Sequence, residues 1–155
     1  MSLSEYEKKR KFESTTEPKG KEKEDVKSRK ENNKLIFVIQ RHDASHLHYD
    51  LRLEIGGVLK SWAVPKIPPT KEGVKRLAVQ TEDHPIGYAD FEGIIPEGNY
   101  GAGTVEIWDR GNFILEKIGD NKIIFKLEGE KMKGDFVLLR LKNSKNWLFF
   151  KKKKD

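Results

Sequence analysis

From Leu35 onward, apolar and polar residues alternate with a period of two, and the alternation restarts after short breaks that are mostly Gly or Asn. Successive side chains on a strand point to opposite faces, so this pattern predicts many short strands, each burying one face. The segments LIFVIQRH, LHYDLRLEI, VLKSWAV and KRLAVQT read this way, followed by TVEIWD, NFILEK, KIIFKLEG, GDFVLLRL and NWLFFKK. Short strands with close turns and few helical stretches point to a mainly β fold, a barrel or a sandwich. Two gaps break the rhythm. One runs from Pro65 to Gly73. The other runs from Glu82 to Gly103 and carries HPIGYADFEGIIPEGNYGAG. A long irregular loop in a small β domain is commonly where function resides.

The first 33 residues behave differently. Between Lys19 and Asn33, Val26 is the one aliphatic residue among dense charges, which reads as a linker or mobile arm. Before it, Tyr6 and Phe12 lie in a charged run able to form a short helix that docks on the body, stopped by Pro18 and Gly20. The expected organisation is a charged N-terminal arm over 1–33, a β domain over 34–150 and a basic tail over 151–155. The formal net charge of +6 favours polyanionic partners. The absence of cysteine excludes thiolate metal sites and disulfides. No apolar run has the length of a membrane helix, so a cytoplasmic protein is expected.

Chemistry concentrates in RHDASHLHYDLRLE, Arg41 to Glu54. With LHYDLRLEI as a strand, Leu47, Tyr49, Leu51, Leu53 and Ile55 line an apolar face. His48, Asp50, Arg52 and Glu54 line the other. Gly56-Gly57 suits a two-residue hairpin that sets Asp50 opposite Ala63 and Arg52 opposite Ser61, small residues that leave room for a ligand. A five-residue loop on the other side sets His42 opposite His48 and Gln40 opposite Asp50. A loop one residue shorter turns His42 to the wrong face. In that register His42, His48 and Asp50 converge. Two imidazoles and a carboxylate hold one side of a divalent cation such as Mn, Fe, Zn or Co and leave the other positions open. Arg52 would face the same space, where a guanidinium suits a phosphate. The competing reading is a polar surface on an ordinary sheet. His46 is assigned to a turn and Glu54 to a solvated strand end. His84, in TEDHP, is by itself an ordinary loop histidine. Trp62, Trp108 and Trp147 are assigned to the core.

The strings QRHDASHLHYDLRLE, GVLKSWAVPK and TEDHPIGYADFEGIIPEGNYGAGTVEIWDRG resemble the 3′-phosphoesterase domain of the ligase D type, found in bacterial multifunctional ligases of non-homologous end joining. YEKKRKFESTTEPKG is similar to the family's N-terminal pattern, departing from it at Lys11, where the family usually has Asp. The resemblance implies a small closed β-barrel with flanking short helices. It implies an Mn2+-dependent enzyme that removes a terminal 3′ ribonucleoside, and a 3′ phosphate, from a primer. Carried over by motif, His42, His48 and Asp50 would ligate the metal. Arg52 and His84 would contact the scissile phosphate, with His84 as general acid, and Tyr88 would complete that site. Lys66, Arg76, Glu82 and Glu17 would support substrate binding. The implied partners are DNA or RNA–DNA primer-template 3′ ends. A Lys-x-Asp-Gly nucleotidyltransferase element is missing, so any DNA ligase would be a separate partner. A monomer is expected. A non-catalytic β-barrel that binds nucleic acid is the alternative, and metal-dependent turnover separates the two.

Ordering a residue costs on the order of 1–2 kcal/mol, which a stretch with a single aliphatic side chain cannot offset. Deleting 19–33 is therefore expected to leave the midpoint of thermal unfolding unchanged, as followed by circular dichroism.

Overall fold

The computed structural model describes residues 3–10, 17 and 34–154. Elements run in the order α1 (Leu3–Lys9), β1 (Leu35–Asp43), β2 (Leu47–Ile55), β3 (Val58–Val64), β4 (Lys75–His84), a 3-10 turn (Ile86–Asp90), β5 (Gly93–Ile95), β6 (Gly103–Ile118), β7 (Lys122–Glu128), β8 (Lys133–Arg140) and β9 (Asn146–Lys151). The strand order β1-β2-β3-β4-β9-β8-β7-β6, with β6 returning to pair with β1, closes a barrel of antiparallel strands; β5 is appended to β6. Closure removes the free edges that an open sheet would expose.

Alternation decides what fills the barrel. Phe37 and Ile39, Tyr49, Leu51 and Leu53, Trp62, Phe125, Phe136 and Phe149 point inward and form one apolar cluster with Trp147. Trp108 packs against it half-buried. The opposite side of β1, β2 and β3 is not left to solvent. A second cluster, including Tyr6 of α1, Ile86, Tyr88 and Ala89 of the 3-10 turn, and Phe91 and Ile95, packs on Val38, Leu59 and Val105. The polar row of β2 thus lies between the barrel wall and an outer cover. Phe12, Lys11 and the segment 19–33 lie outside the described residues, so the stop at Pro18 and Gly20 does too.

The expected pairings are present: His42 opposite His48, Gln40 opposite Asp50, Asp50 opposite Ala63 and Arg52 opposite Ser61. Three readings change. TVEIWD and NFILEK are one continuous strand, β6, because Asp109-Arg110-Gly111 forms no turn. Instead, the pairing with β1 slips by one residue between Ile39 and Gln40, leaving Trp108 as the extra residue of a bulge. The bulge re-phases β6, so that Asp109 accepts hydrogen bonds from the backbone N–H groups of Glu130, Lys131 and Met132 at 2.9, 3.1 and 2.8 Å. Gly111 is needed in the same stretch, since a Cβ there would lie 2.3 Å from the Glu128 carbonyl oxygen. Second, β4 continues to His84, which pairs with Leu59, so this histidine is part of the sheet and not of a loop. Third, Glu54 is buried, not solvated, and accepts from the backbone N–H of Ile36 at 3.1 Å. Lys151 belongs to β9, and the chain beyond it continues with the Lys152 N–H donating to the Asp135 carbonyl at 2.8 Å.

Asp109→Ala strips acceptors from those three N–H groups in a half-enclosed turn. Hydrogen bonds to a charged acceptor contribute roughly 1.5–3 kcal/mol each, with partial compensation by water at exposed donors. A loss of about 3 kcal/mol in urea unfolding is expected.

Candidate active site

His42 on β1 and His48 and Asp50 on β2 share the outer face of the barrel, as the register requires. One ligand-type atom from each lies within 4.8 Å of the others. The Asp50 Oδ2 is 3.5 Å from the His42 Nδ1 and 3.2 Å from the His48 Nε2. The remaining ring nitrogens are held from outside. The His42 Nε2 lies 2.6 Å from the Gly101 carbonyl oxygen and the His48 Nδ1 3.0 Å from that of His46. A carbonyl only accepts, so each of these nitrogens carries the proton. In the neutral imidazoles, the two inner nitrogens then present lone pairs toward the same carboxylate oxygen. Converging lone pairs repel unless a cation lies among them, and outer carbonyls that fix the tautomer are the usual support of a metal-binding histidine. The donor set therefore fits a divalent metal.

Arg52 is the next outward residue on β2 and is buried with the cluster. Its Nε donates to the Gln40 Oε1 at 2.7 Å, its Nη2 is 3.5 Å from the Asp50 Oδ2, and its Cζ lies 4.8 Å from the centre of the Tyr88 ring. The Gln40 amide is oriented by the Tyr88 and Phe91 carbonyls, to which it donates at 2.7 and 3.1 Å. Burial alone would raise the Asp50 carboxyl. The Arg52 charge outweighs it and holds this group far below the usual carboxylate range. Burial likewise opposes protonation of His48, but the Asp50 partner reverses this and raises it.

His84 closes the far side. Its Nδ1 is 2.9 Å from the Glu82 carbonyl oxygen and its Nε2 is 3.2 Å from an Arg10 Nη2. Only one tautomer satisfies a carbonyl on one side and a guanidinium on the other: the proton sits on Nδ1 and Nε2 accepts. The 3.2 Å approach of the Arg52 Nη1 to the same Nδ1 is then a contact between donors. Burial, followed by the charges of Arg52 and Arg10, pushes the His84 ring well below its ordinary value. Arg10 also donates to Glu17 at 3.0 Å and to Glu82 at 3.2 Å, while Lys9 donates to Glu82 at 2.9 Å. The Tyr88 hydroxyl donates to Glu17 at 2.6 Å; burial, and then the Glu17 carboxylate, keep that phenol protonated.

These side chains surround a cavity of about 300 Å³ lined by His42, His48, Asp50, Arg52, Glu82, His84 and Tyr88, with Ala63 at its wall. Glu17 reaches the same network through Arg10 and Tyr88. Lys66 and Arg76 do not enter it. They line a separate cleft of about 200 Å³ with Lys75, where the Arg76 Nε donates to the Ile67 carbonyl at 2.8 Å. Arg10 and Gln40 are among the network residues that sequence reasoning did not single out. Arg10 is one of many cations in a charged arm, and only its packing distinguishes it. Gln40 was placed opposite Asp50, but nothing in the pattern showed that it braces Arg52.

Residues 40–140 match the family model of the DNA ligase D 3′-phosphoesterase domain. The chain belongs to this family. It is 49% identical over 161 aligned residues to the multifunctional non-homologous end joining protein LigD of Pseudomonas aeruginosa, covering 99% of this chain and 19% of that protein. It is 51% identical over 116 residues to the corresponding DNA repair protein of Mycobacterium tuberculosis, covering 72% of this chain and 15% of the relative. The LigD of Mycolicibacterium smegmatis is 51% identical over 130 residues, 77% of this chain and 17% of its own. This phosphoesterase domain thus spans less than a fifth of the length of these curated relatives. Among the described residues, no helix is long and apolar enough to cross a membrane.

The buried His84 has a thermodynamic consequence. At pH 7 it is neutral folded and largely neutral unfolded. As pH falls below about 6.5, the unfolded chain binds a proton at this residue and the folded chain does not, so stability drops by up to about 1.4 kcal/mol per pH unit. Stability curves of wild type and His84→Gln from pH 7 to 5 are expected to diverge by this slope. The variant should lose the decline that His84 contributes.

Proposed function

We propose that this domain is a metal-dependent phosphoesterase that heals primer 3′ ends, removing a terminal 3′ ribonucleoside and a 3′ phosphate. The carrying observation is the convergence of the His42, His48 and Asp50 donor atoms beside the buried guanidinium of Arg52. Charge balance supports it. Lys9, Arg10 and Arg52 offset Glu17, Asp50 and Glu82, three against three. A divalent cation leaves the site at +2, the complement of a phosphomonoester dianion. We assign Mn2+ to it, with other divalent transition metals as substitutes. Bound there, the cation supplies charge neutralisation at a phosphoryl oxygen and a more acidic attacking water.

The protein's own groups do the rest. Arg52 grips the non-bridging oxygens, its plane set by Gln40 and the Tyr88 ring. His84 lies on the other side of the phosphate. The two guanidiniums keep it neutral in the resting site, and the incoming anion offsets them. Nε2 then takes up a proton from solvent and delivers it to the leaving oxygen, while the attacking water releases its own proton to solvent. Glu82 and Glu17 hold Arg10 and Lys9 around the pocket. Tyr88, fixed by its hydrogen bond to Glu17, walls the phosphate. Lys66 and Arg76 contact the nucleic acid strand outside the cavity. The substrate is a DNA or RNA–DNA primer-template end in strand-break repair, sealed afterwards by a ligase activity. The domain works as a cytoplasmic monomer.

A labelled duplex whose primer ends in one ribonucleotide, incubated with and without Mn2+, tests this directly. Release of the terminal nucleoside, followed by conversion of the 3′ phosphate to a hydroxyl, is expected only with metal. His42→Ala, His48→Ala and Asp50→Ala should lose Mn2+ affinity and activity together. Arg52→Ala should keep Mn2+ affinity by titration calorimetry while losing roughly 2–4 kcal/mol of transition-state stabilisation in single-turnover rates. Metal binding lost as fully in Arg52→Ala as in His48→Ala would contradict this division of roles.

A further inference from the structure

Tyr100 is unlike the other rings near the site. Tyr6, Tyr49 and Tyr88 are buried, whereas Tyr100 is 49% exposed at the rim of the cavity. It stands in the glycine-rich connection between β5 and β6, folded into successive turns by hydrogen bonds from the Asn99 N–H to the Pro96 carbonyl at 3.3 Å and from the Ala102 N–H to the Asn99 carbonyl at 3.2 Å. Gly101, the next residue, holds His42 through its carbonyl and adopts φ +76°. A Cβ there would lie 3.3 Å from the His42 ring. On its other flank, the Lys9 Nζ and the Arg10 Cζ lie 4.8 and 5.4 Å from the Tyr100 ring centre. Both cations are themselves tied to Glu82. The ring is thus anchored between the His42 side of the pocket and the His84 side, and a large part of it faces solvent.

A phosphate gripped by Arg52 would carry its sugar and base outward through this mouth. We infer that Tyr100 is a stacking platform for the nucleobase of the primer's terminal nucleotide. The inference rests on the phosphoesterase reading of the cavity and adds what the pocket recognises besides phosphate. Cation contacts fix the ring before substrate arrives, so little ordering cost remains at binding. Stacking on a π-face tolerates any base, which suits an enzyme that must accept whatever sequence a break presents.

The test compares wild type, Tyr100→Ala and Tyr100→Phe on 3′-phosphate primers that end in 2-aminopurine or in an abasic residue. Wild type should quench the 2-aminopurine fluorescence on binding. Tyr100→Ala should lose the quench and bind roughly 5- to 100-fold more weakly, the range of a lost base–aromatic stack. Tyr100→Phe should keep both. On the abasic primer, wild type and Tyr100→Ala should bind alike. Additive effects of Tyr100→Ala and base removal would overturn the inference, as would an unquenched wild type or a Tyr100→Phe variant as weak as Tyr100→Ala. Quenching without turnover in wild type would instead sink the phosphoesterase reading and leave the stacking intact.

Discussion

A buried guanidinium organises the outer half of this molecule. Arg52 is only 4% exposed, on a strand whose inward neighbours are leucines. A charge removed from water costs several kcal/mol unless it is paired and hydrogen-bonded, and losing one partner would leave the rest uncompensated. Asp50 supplies the countercharge, Gln40 the acceptor and Tyr88 the ring face. Each of these is placed by a different segment, so the requirement to satisfy one cation ties β1, β2 and the 3-10 turn together.

That requirement explains why a small barrel carries a second apolar cluster. The interior is filled by the inward residues of the strands alone. The outer face of β1 to β3 would otherwise expose a row of His, Asp and Arg to water, where their interactions are weak. Covering it with α1, the 3-10 turn and Phe91 lowers the local dielectric and strengthens every contact in the row. Asp50 and His84 are both shifted downward, with opposite charge states as the result. Asp50, beside cations, is held ionised. His84, beside the same kind of charge, is held neutral.

The cover is also where the two flanks of the pocket meet. Arg10 and Lys9 bring the N-terminal helix onto Glu82 and His84, while Gly101 brings the β5–β6 connection onto His42. Neither segment contributes to the barrel wall. Both act through hydrogen bonds that set the tautomers of the two histidines they touch, and so decide which nitrogen faces the cavity.

The alternating pattern of the strands was enough to place His48, Asp50 and Arg52 on one face, because strand geometry has a strict period of two; His42 joined them through the expected pairing with His48, which a connection one residue shorter would have lost. What alternation cannot carry is phase across a bulge or a partner far along the chain. The slip at Trp108 joined two expected strands into β6 and turned Asp109 onto the β7–β8 turn. The extension of β4 moved His84 from a loop into the sheet. Glu54, polar and at a strand end, was buried, with the Ile36 backbone N–H donating to it. Arg10 and Gln40 became part of the site only through contacts spanning many residues. The sequence by itself therefore determined most of the strands and the candidate metal-binding row, which depend on local periodicity. Tertiary structure alone decided which outward face was covered, which tautomers resulted and which charges were shared, since burial and pairing energies arise only when distant segments meet.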